Sequence, residues 1–166
     1  DPDWHARPVP AFGALDARLL VLGLGPGERG ANRTGRPFSG GVAGELLYPA
    51  LHRFGFASSP EPLIDGWANP EMQLHDCRIT NAVRCVPPAN KPTPEEIRTC
   101  RPFLVARMQA LPRLAAILVL GRIAQAVEPA GGVHRQVELG HGPGVLVQVA
   151  AQGQTVEVVE HLGLFD

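Results

Sequence analysis

The sequence has little lysine, few cysteines and no long apolar segment. It contains one lysine, Lys91, beside 14 arginines, and its net charge of −1 gives no global positive field of the kind that indicates nucleic-acid binding. No apolar run reaches the roughly 18 residues of a membrane span, and no signal-peptide pattern opens the chain, so we expect no membrane association. Three cysteines, an odd number without secretory features, favour core thiols or metal ligands over disulfides and predict a reducing, cytoplasmic compartment.

What is present is an alternation of short apolar runs and helical patterns. The 166 residues, 45% of them hydrophobic, are expected to form one domain over residues 1–166. Strands are predicted at Leu19–Leu24, Cys77–Val83 and Leu114–Leu120, with a strand pair at Val145–Val149 and Thr155–Val159. Helices are predicted from about Val42 to Phe54, from Thr93 to about Leu111, and for a short stretch after Gly121. This order indicates an α/β fold with a mostly parallel sheet.

Proline-rich segments separate these elements. Residues 1–13 are predicted to be an extended lead-in, residues 57–76 a polar loop, and residues 85–92 an irregular loop. The helix that follows opens on a capping box of Thr93 and Glu96, with Pro94 at its first position. Ligands of parallel sheets bind at the carboxyl ends of the strands, so the loops after the first and second strands are expected to face one crevice.

The loop after the first strand, "GLGPGERGANRTGRPFSGG", contains a literal G-x-G-x-x-G. A dinucleotide site needs a helix that begins inside this motif and an acidic residue about 20 positions later at the end of a strand. Here Pro37 and several polar residues follow the motif, and Glu45 lies inside a predicted helix. A Rossmann-type nucleotide-binding enzyme therefore remains only a second alternative, which a loop reaching Gly41 would exclude.

The same loop has features that suit a nucleobase. Gly25, Pro26 and Gly27 leave the backbone open to a flat polar ligand, and Phe38 after Pro37 is a rigid stacking platform, although core packing also explains a lone Phe. In the second loop, the amide of Asn90 can both donate to and accept from a pyrimidine edge, although turn chemistry also explains a lone Asn. Three loop arginines, Arg29, Arg33 and Arg36, suit a local anion site or reflect only biased composition.

Several motifs in order resemble one family. They are "GLGPGERGANRTGRPFSGG", "GELLYPALHRFG", "RITNAVRCVPPANKPTPEE", "TCRPFL" and "LVLGRIAQ", which together cover roughly residues 7–127. They resemble the iron–sulfur branch of the uracil-DNA glycosylase superfamily, above all its broad-specificity family 5 type. The resemblance implies a three-layer α/β/α sandwich with a central, mostly parallel four-stranded sheet, and hydrolytic release of uracil or other deaminated bases from DNA by a monomer that flips the base out.

The resemblance also implies roles for individual residues. The pocket wall is formed by Gly23, Leu24, Gly25, Pro26 and Gly27, the ring of Phe38 stacks on the base, and Asn90 contacts its edge. DNA is expected to be bound by Arg33, Arg36 and Lys91. Members of this branch hold a 4Fe–4S cluster on four cysteines, of which two match Cys85 and Cys100.

The chain departs from the family at three places. The other two cluster cysteines would precede Asp1, where this chain starts without a Met, so we expect a shortened N-terminus and no cluster of the usual kind; Cys77 has no counterpart. The catalytic Asp expected after "PFSG" is replaced by Gly41, and related families have an acid where Leu24 stands.

The third departure lies in residues 133–166, which match the family poorly. Its C-terminal His-Ser-Asn motif is missing: His161 is the candidate catalytic histidine, but "LGLFD" follows it. Uracil-DNA glycosylase activity is therefore one hypothesis, and a catalytically impaired remnant that still binds DNA or a base is the other.

Overall fold

A computed structural model describes residues 2–120 and, for the backbone only, residues 133–138 and 145–151. The strands are β1 Phe12–Gly13, β2 Leu19–Gly23, β3 Leu63–Ile64, β4 Trp67–Ala68, β5 Cys77–Asn81, β6 Ala116–Leu120, β7 Val133–Glu138 and β8 Val145–Ala151. The helices are α1 Ala31–Thr34, α2 Val42–Arg53 and α3 Pro94–Gln109, with a 3₁₀ turn at Pro88–Asn90. Within these residues no helix is both long and apolar enough to cross a bilayer.

Six of the strands form one sheet in the order β1-β5-β2-β6-β8-β7. Strands β5, β2 and β6 are parallel, with Val21 opposite Ile79 on one side and Leu118 on the other. Strand β8 joins β6 antiparallel, so the four inner strands give the predicted mostly parallel sheet. The edge strands β1 and β7, both antiparallel to their neighbours, were not predicted and extend the sheet to six.

Helices cover both faces of this sheet, which confirms the three-layer α/β/α arrangement. Side chains alternate along a strand, so β2 sends Leu20 and Leu22 to one face and Val21 to the other. Leu20 and Leu22 pack in the core with Leu104 of α3. Val21 packs with Leu47, Tyr48 and Leu51 of α2 in the opposite core.

The structure confirms two of the three predicted helices and one strand of the predicted C-terminal pair. Helix α3 begins at Pro94 with both hydrogen bonds of the Thr93–Glu96 capping box. Strand β8 exists and pairs with β6 and β7, while its predicted partner Thr155–Val159 lies outside the described residues, as does the helix predicted after Gly121.

Two segments predicted to be irregular contain regular structure. Within residues 57–76, β3 and β4 pair as a short antiparallel hairpin. Within residues 85–92, the backbone forms the 3₁₀ turn Pro88–Asn90, in which the amide of Asn90 donates to the Pro87 carbonyl at 3.0 Å. Both elements are shorter than the window over which hydrophobic periodicity can be recognised.

The N-terminal lead-in is attached to both loops that follow the inner strands. Its His5 and Ala6 amides donate to the carbonyls of Arg33 and Asn32, each at 3.0 Å. Val9, which is 2% exposed, exchanges hydrogen bonds with Arg84: its amide donates to the Arg84 carbonyl at 2.9 Å, and Arg84 Nε donates back to the Val9 carbonyl at 2.7 Å.

At the opposite end of the sheet, Arg18 and Asp76 join the starts of β2 and β5. The Arg18 amide donates to Asp76 Oδ1 at 2.9 Å, and its Nε donates to Oδ2 at 2.6 Å. Burial raises the pKa of Asp76, but these hydrogen bonds and the charge of Arg18 outweigh it and hold the pKa below its ordinary value.

The substitution Asp76→Asn tests this linkage, and Asn tolerates the left-handed backbone of this position (φ +52°). Because the folded-state pKa is lowered, the ionised Asp76 stabilises the protein above pH about 4, and this contribution is lost as the pH falls further. We expect Asp76→Asn to lower the unfolding free energy at pH 7 by less than about 1 kcal/mol, since Arg18 is largely exposed, and this difference should shrink as the pH falls below about 4.

The measurement is thermal unfolding of both proteins across this pH range. The control is Asp16→Asn, because Asp16 is 70% exposed and lies 4.0 Å from Arg113. Asp16→Asn should leave the unfolding temperature unchanged at every pH. An effect of Asp76→Asn that is equal at all pH values would show that packing, and not the charge, stabilises this end of the sheet.

Candidate functional site

The loops after β2 and β5 lie side by side at the carboxyl edge of the sheet. Parallel pairing continues beyond the strands, since the Ala82 amide donates to the Gly23 carbonyl at 2.8 Å and the Val83 amide to the Leu24 carbonyl at 2.9 Å. Pro87 of the second loop packs against Gly25 of the first, with Cδ 3.4 Å from the position of a Cβ on Gly25. The two loops therefore share one crevice, as the sequence predicts.

Phe38, Gly23 and Asn81 meet on the α2 side of this crevice. A Cβ on Gly23 would lie 2.7 Å from Phe38 Cε2 and 2.5 Å from Asn81 Oδ1, both much closer than van der Waals contact. Only glycine at position 23 lets the ring lie over the end of β2. A flat aromatic surface and a polar amide thus meet at the point where the central strand ends.

The backbone of Phe38 is held in a conformation that aromatic residues rarely adopt. Its φ is +57°, in the left-handed region that costs a non-glycine residue about 1 kcal/mol or more. Neighbouring hydrogen bonds fix it: Tyr48, which is fully buried, donates from its hydroxyl to the Pro37 carbonyl at 2.8 Å, and Ser39 Oγ donates to the Arg36 carbonyl at 2.7 Å. Burial raises the pKa of Tyr48 far above its ordinary value, so the hydroxyl stays protonated and remains a donor.

Glycine is also required beneath the Phe38 carbonyl. A Cβ on Gly44, in the first turn of α2, would overlap the Phe38 carbonyl oxygen. Helix α2 therefore packs directly against the backbone of the loop. The ring position is set by the fold before any ligand binds.

Asn81 is a polar residue that the sequence reasoning did not single out. It is the last residue of β5, pairs in register with Gly23, and is 4% exposed. It shares a strand face with Cys77 and Ile79, which pack in the α2-side core. The signal for Asn81 was an amide at the carboxyl end of a buried parallel strand.

The other predicted wall residues have different environments. Pro26 is fully buried, whereas Leu24 packs towards the α3-side core and not towards Phe38. Gly27 is exposed, and a Cβ on it would meet no atom within 4 Å. Of the predicted wall residues, Gly23 therefore lies beside Phe38 and Gly25 lies against Pro87 of the second loop.

Asn90 and Lys91 lie on the surface of the second loop. Asn90 is exposed and has a left-handed φ of +56°, next to Ala89 at +53°. Lys91 is exposed as well. The amide that lies beside Gly23, on which the Phe38 ring also packs, is that of Asn81.

Two arginines expected at the DNA surface interact with aromatic rings of the protein. Arg33 Cζ lies 4.7 Å from the centroid of the Trp67 ring, and Arg36 Cζ lies 4.4 Å from that of Phe12. Arg36 also donates to the Asn69 carbonyl, and burial lowers its pKa, an effect that Tyr48 partly offsets. Both guanidinium groups thus connect the first loop to neighbouring segments.

Gly41, where the resemblance leads us to expect an Asp, precedes α2 and caps its N-terminus without a side chain. Its φ is +147°, and a Cβ on it would meet no atom within 4 Å. Space for a side chain exists at this position, three residues beyond Phe38. A second candidate catalytic residue, His161, belongs to the C-terminal part of the chain and lies outside the described residues.

The three cysteines lie in different environments. Cys85 is exposed on the second loop, Cys100 is half-buried in α3, and Cys77 is buried in β5, where burial raises its pKa to about 12. Among the described residues, no three Cys, His, Asp or Glu side chains are grouped so that they could hold a metal ion. Two thiols do not satisfy a cluster that needs four thiolates, so these residues alone do not fit a 4Fe–4S cluster.

The first loop does not have the geometry of a dinucleotide site. Helix α1 is a single turn of four residues that ends at Gly35 in the left-handed conformation. The long helix begins only at Val42, so the segment between β2 and α2 reaches Gly41. This excludes the Rossmann-type alternative.

Comparison with known proteins places these features in a family. The family model "Uracil DNA glycosylase superfamily" matches residues 10–161, which extends past the motifs at residues 7–127. The chain is 48% identical over 124 residues to the Type-5 uracil-DNA glycosylase of Thermus thermophilus, a match that covers 75% of this chain and 54% of that protein. It is 41% identical over 146 residues to the Type-5 enzyme of Mycobacterium leprae, covering 86% of this chain and 62% of that protein.

A Type-4 relative is similar over more of the chain. The Type-4 uracil-DNA glycosylase of Pyrobaculum aerophilum is 34% identical over 158 residues, which cover 93% of this chain and 70% of that protein. The chain spans about half the length of the Thermus relative and of those from Mycobacterium bovis and Mycobacterium tuberculosis. The expected similarity to Type-5 proteins is confirmed, and the chain belongs to the uracil-DNA glycosylase superfamily.

Proposed function

We propose that this protein hydrolyses the N-glycosidic bond of uracil in DNA as a step of base-excision repair. One observation carries the proposal: the Phe38 ring lies over Gly23 beside the buried amide of Asn81, at the carboxyl edge of the sheet. A flat, polar base fits such a site, because its face stacks on the ring and its edge meets the amide. The relatives named as uracil-DNA glycosylases support uracil as the base.

In this reaction, water replaces the base at the sugar C1′ carbon. The bond between C1′ and the base nitrogen breaks, its electron pair leaves with the base, and the water oxygen bonds to C1′ as its proton is released. We propose that the Asn81 amide hydrogen-bonds the base, where negative charge develops, and that Phe38 holds the plane of the base. A carboxylate near C1′ would orient the water and offset the positive charge of the sugar, and position 41 holds glycine instead.

The test is incubation of the chain with single- and double-stranded DNA that contains uracil, scored as cleavage at abasic sites. We expect uracil release that falls about tenfold or more in Phe38→Ala, because stacking on an aromatic ring contributes about 1–3 kcal/mol per base. Binding without any release would favour the impaired remnant, which the glycine at position 41 already suggests. The absence of both DNA binding and uracil release would contradict the proposal.

The substitution Gly41→Asp should increase the rate. Its Cβ would meet no neighbour, but φ +147° and ψ 161° lie in a region almost restricted to glycine, so the backbone at position 41 must shift to admit the side chain. A positioned general base contributes about 10²- to 10⁴-fold, so we expect kcat to rise by about tenfold or more, reduced by the strain of the positive φ. The measurement is single-turnover uracil release.

Gly41→Asn serves as the matched control for this substitution. It has the same size and a similar capping ability but carries no charge, so it should raise the rate much less. Equal rates for the Asp and Asn variants would contradict a role for the carboxylate.

We further propose that Cys85 and Cys100 are two ligands of a 4Fe–4S cluster, as the family resemblance implies, and that two further thiolates complete it. The exposure of Cys85 in the second loop and the partial exposure of Cys100 in α3 support this assignment over Cys77. The isolated chain should contain less than stoichiometric iron and acid-labile sulfide after anaerobic reconstitution. A full complement of four irons that survives Cys85→Ser and Cys100→Ser would contradict the assignment.

A further inference from the structure

The β3–β4 hairpin has an exposed apolar pair at its tip. Ile64 and Trp67 face each other in its register, and they are 43% and 42% exposed. Residues directly opposite each other in an antiparallel pair lie on the same face of the ribbon. The turn between them, Asp65 and Gly66, has φ values of +50° and +79°, which are typical of a tight two-residue hairpin turn. The two side chains therefore form one continuous apolar surface on a short, rigid support.

This surface lies next to the loop that carries Phe38. Leu63 Cδ1 is 3.6 Å from the position of a Cβ on Gly40, two residues after Phe38. Arg33, from the same loop, covers one face of the Trp67 ring at 4.7 Å. The hairpin is thus attached at two points to the loop that carries Phe38, and the indole keeps a defined orientation while it remains partly open to solvent.

We propose that the surface of Ile64 and Trp67 stacks on an unpaired base of the DNA strand, next to the nucleotide whose own base enters the Phe38 site. The inference rests on the proposed function. Extruding one nucleotide unstacks its neighbours, and an exposed aromatic ring beside the site recovers that stacking.

The size and the charge of the surface both favour a base as its occupant. Two side chains offer far less apolar area than the roughly 800 Å² per partner of a stable protein interface, whereas they match the face of one base. The charge nearby is mixed, with Arg29 and Arg33 in the loop and Asp65 at the tip. This surface is therefore suited to a base, which is uncharged, more than to a row of phosphates.

The first experiment uses tryptophan fluorescence. The protein has two tryptophans, so Trp4→Phe leaves Trp67 as the only reporter. The probe is a short single-stranded oligothymidylate with one central tetrahydrofuran residue, which mimics an abasic site and cannot be hydrolysed. We expect saturable quenching of Trp67 fluorescence as the probe binds. Binding without quenching would overturn the proposal.

The second experiment measures affinity by fluorescence anisotropy of a labelled probe. Trp67→Ala should weaken binding about tenfold, Trp67→Phe only slightly, and Phe103→Ala, a 63% exposed residue on the opposite face in α3, by less than about twofold. In a second probe, the two nucleotides that flank the central tetrahydrofuran residue are also replaced by tetrahydrofuran and so carry no base. It should bind wild type and Trp67→Ala equally, because the partner of the indole is gone.

The salt dependence identifies the kind of contact that is lost. A stacking contact leaves the slope of affinity against salt unchanged in Trp67→Ala, whereas loss of a phosphate contact makes it shallower by about one unit. Equal affinity of Trp67→Ala and wild type for the first probe would overturn the proposal, as would self-association of the wild type that Trp67→Ala abolishes. Uracil release by wild type and Phe38→Ala tests the base site separately, so a failure here is distinguishable from a failure of the proposed function.

Discussion

Replacing Gly23 by alanine should lower kcat/KM for uracil release by about 10- to 100-fold. The added methyl group would occupy space already filled by the Phe38 ring and Asn81 Oδ1. Forcing atoms into a well-packed site costs about 1–3 kcal/mol, and here the residues that must shift are the ones proposed to bind the base. The measurement is steady-state uracil release, together with thermal unfolding to show that the protein remains folded.

The first loop supplies a matched control for this substitution. Gly27 lies four residues later, its φ is outside the left-handed region, and a Cβ there would meet no atom within 4 Å. Gly27→Ala should therefore keep wild-type activity and be as stable as wild type or slightly more so. Equal losses in the two variants would mean that the loop needs flexible glycines in general and not space at position 23.

Replacing Asn81 by alanine should cost about 10- to 100-fold in kcat/KM. The side chain is buried at the end of β5, so its loss removes a hydrogen-bonding partner from the base and leaves the base edge unpaired. Asn81→Asp keeps the shape but cannot donate a hydrogen bond in its ionised form, and we expect it to be similarly impaired. Uracil release and product inhibition by free uracil are the two measurements.

The substitution Asn90→Ala tests which side-chain amide contacts the base, that of Asn90 in the second loop or that of Asn81 at the end of β5. The family resemblance implies that Asn90 contacts the base, whereas the structure has Asn90 on an exposed turn and Asn81 buried beside Gly23. If Asn81 reads the base, Asn90→Ala should retain activity within about threefold while Asn81→Ala loses it. The reverse pattern would contradict the role proposed for Asn81.

The fold was largely predictable because its main signals are local. The capping box fixes the start of α3 at Thr93, and unbroken apolar runs identify β2, β5 and β6. The edge strand β1 and the β3–β4 hairpin were missed, since two-residue strands have no measurable periodicity. The pairing of β8 with β7 depends on long-range contacts, which a sequence pattern does not specify.

The site was predictable only where motif and geometry coincide. Gly23 and Phe38 were identified from the loop, and the structure brings them into contact. Asn81 was overlooked because the strand was predicted to continue to Val83, which placed its amide inside the strand and not at its end. The partners of Arg33 and Arg36 lie on distant segments, so their aromatic contacts could not be foreseen.

The N-terminal lead-in limits how far the crevice can open. Ala6 is hydrogen-bonded to Asn32 of the first loop, and Val9, three residues later, is hydrogen-bonded to Arg84 at the start of the second loop. Three residues of fully extended chain reach about 10 Å. While both attachments hold, Asn32 and Arg84 cannot lie farther apart than about that distance plus the lengths of the two hydrogen bonds. Any widening of the crevice to admit a DNA strand must therefore take place beyond these anchors, at the tips of the loops, or begin with the release of the lead-in.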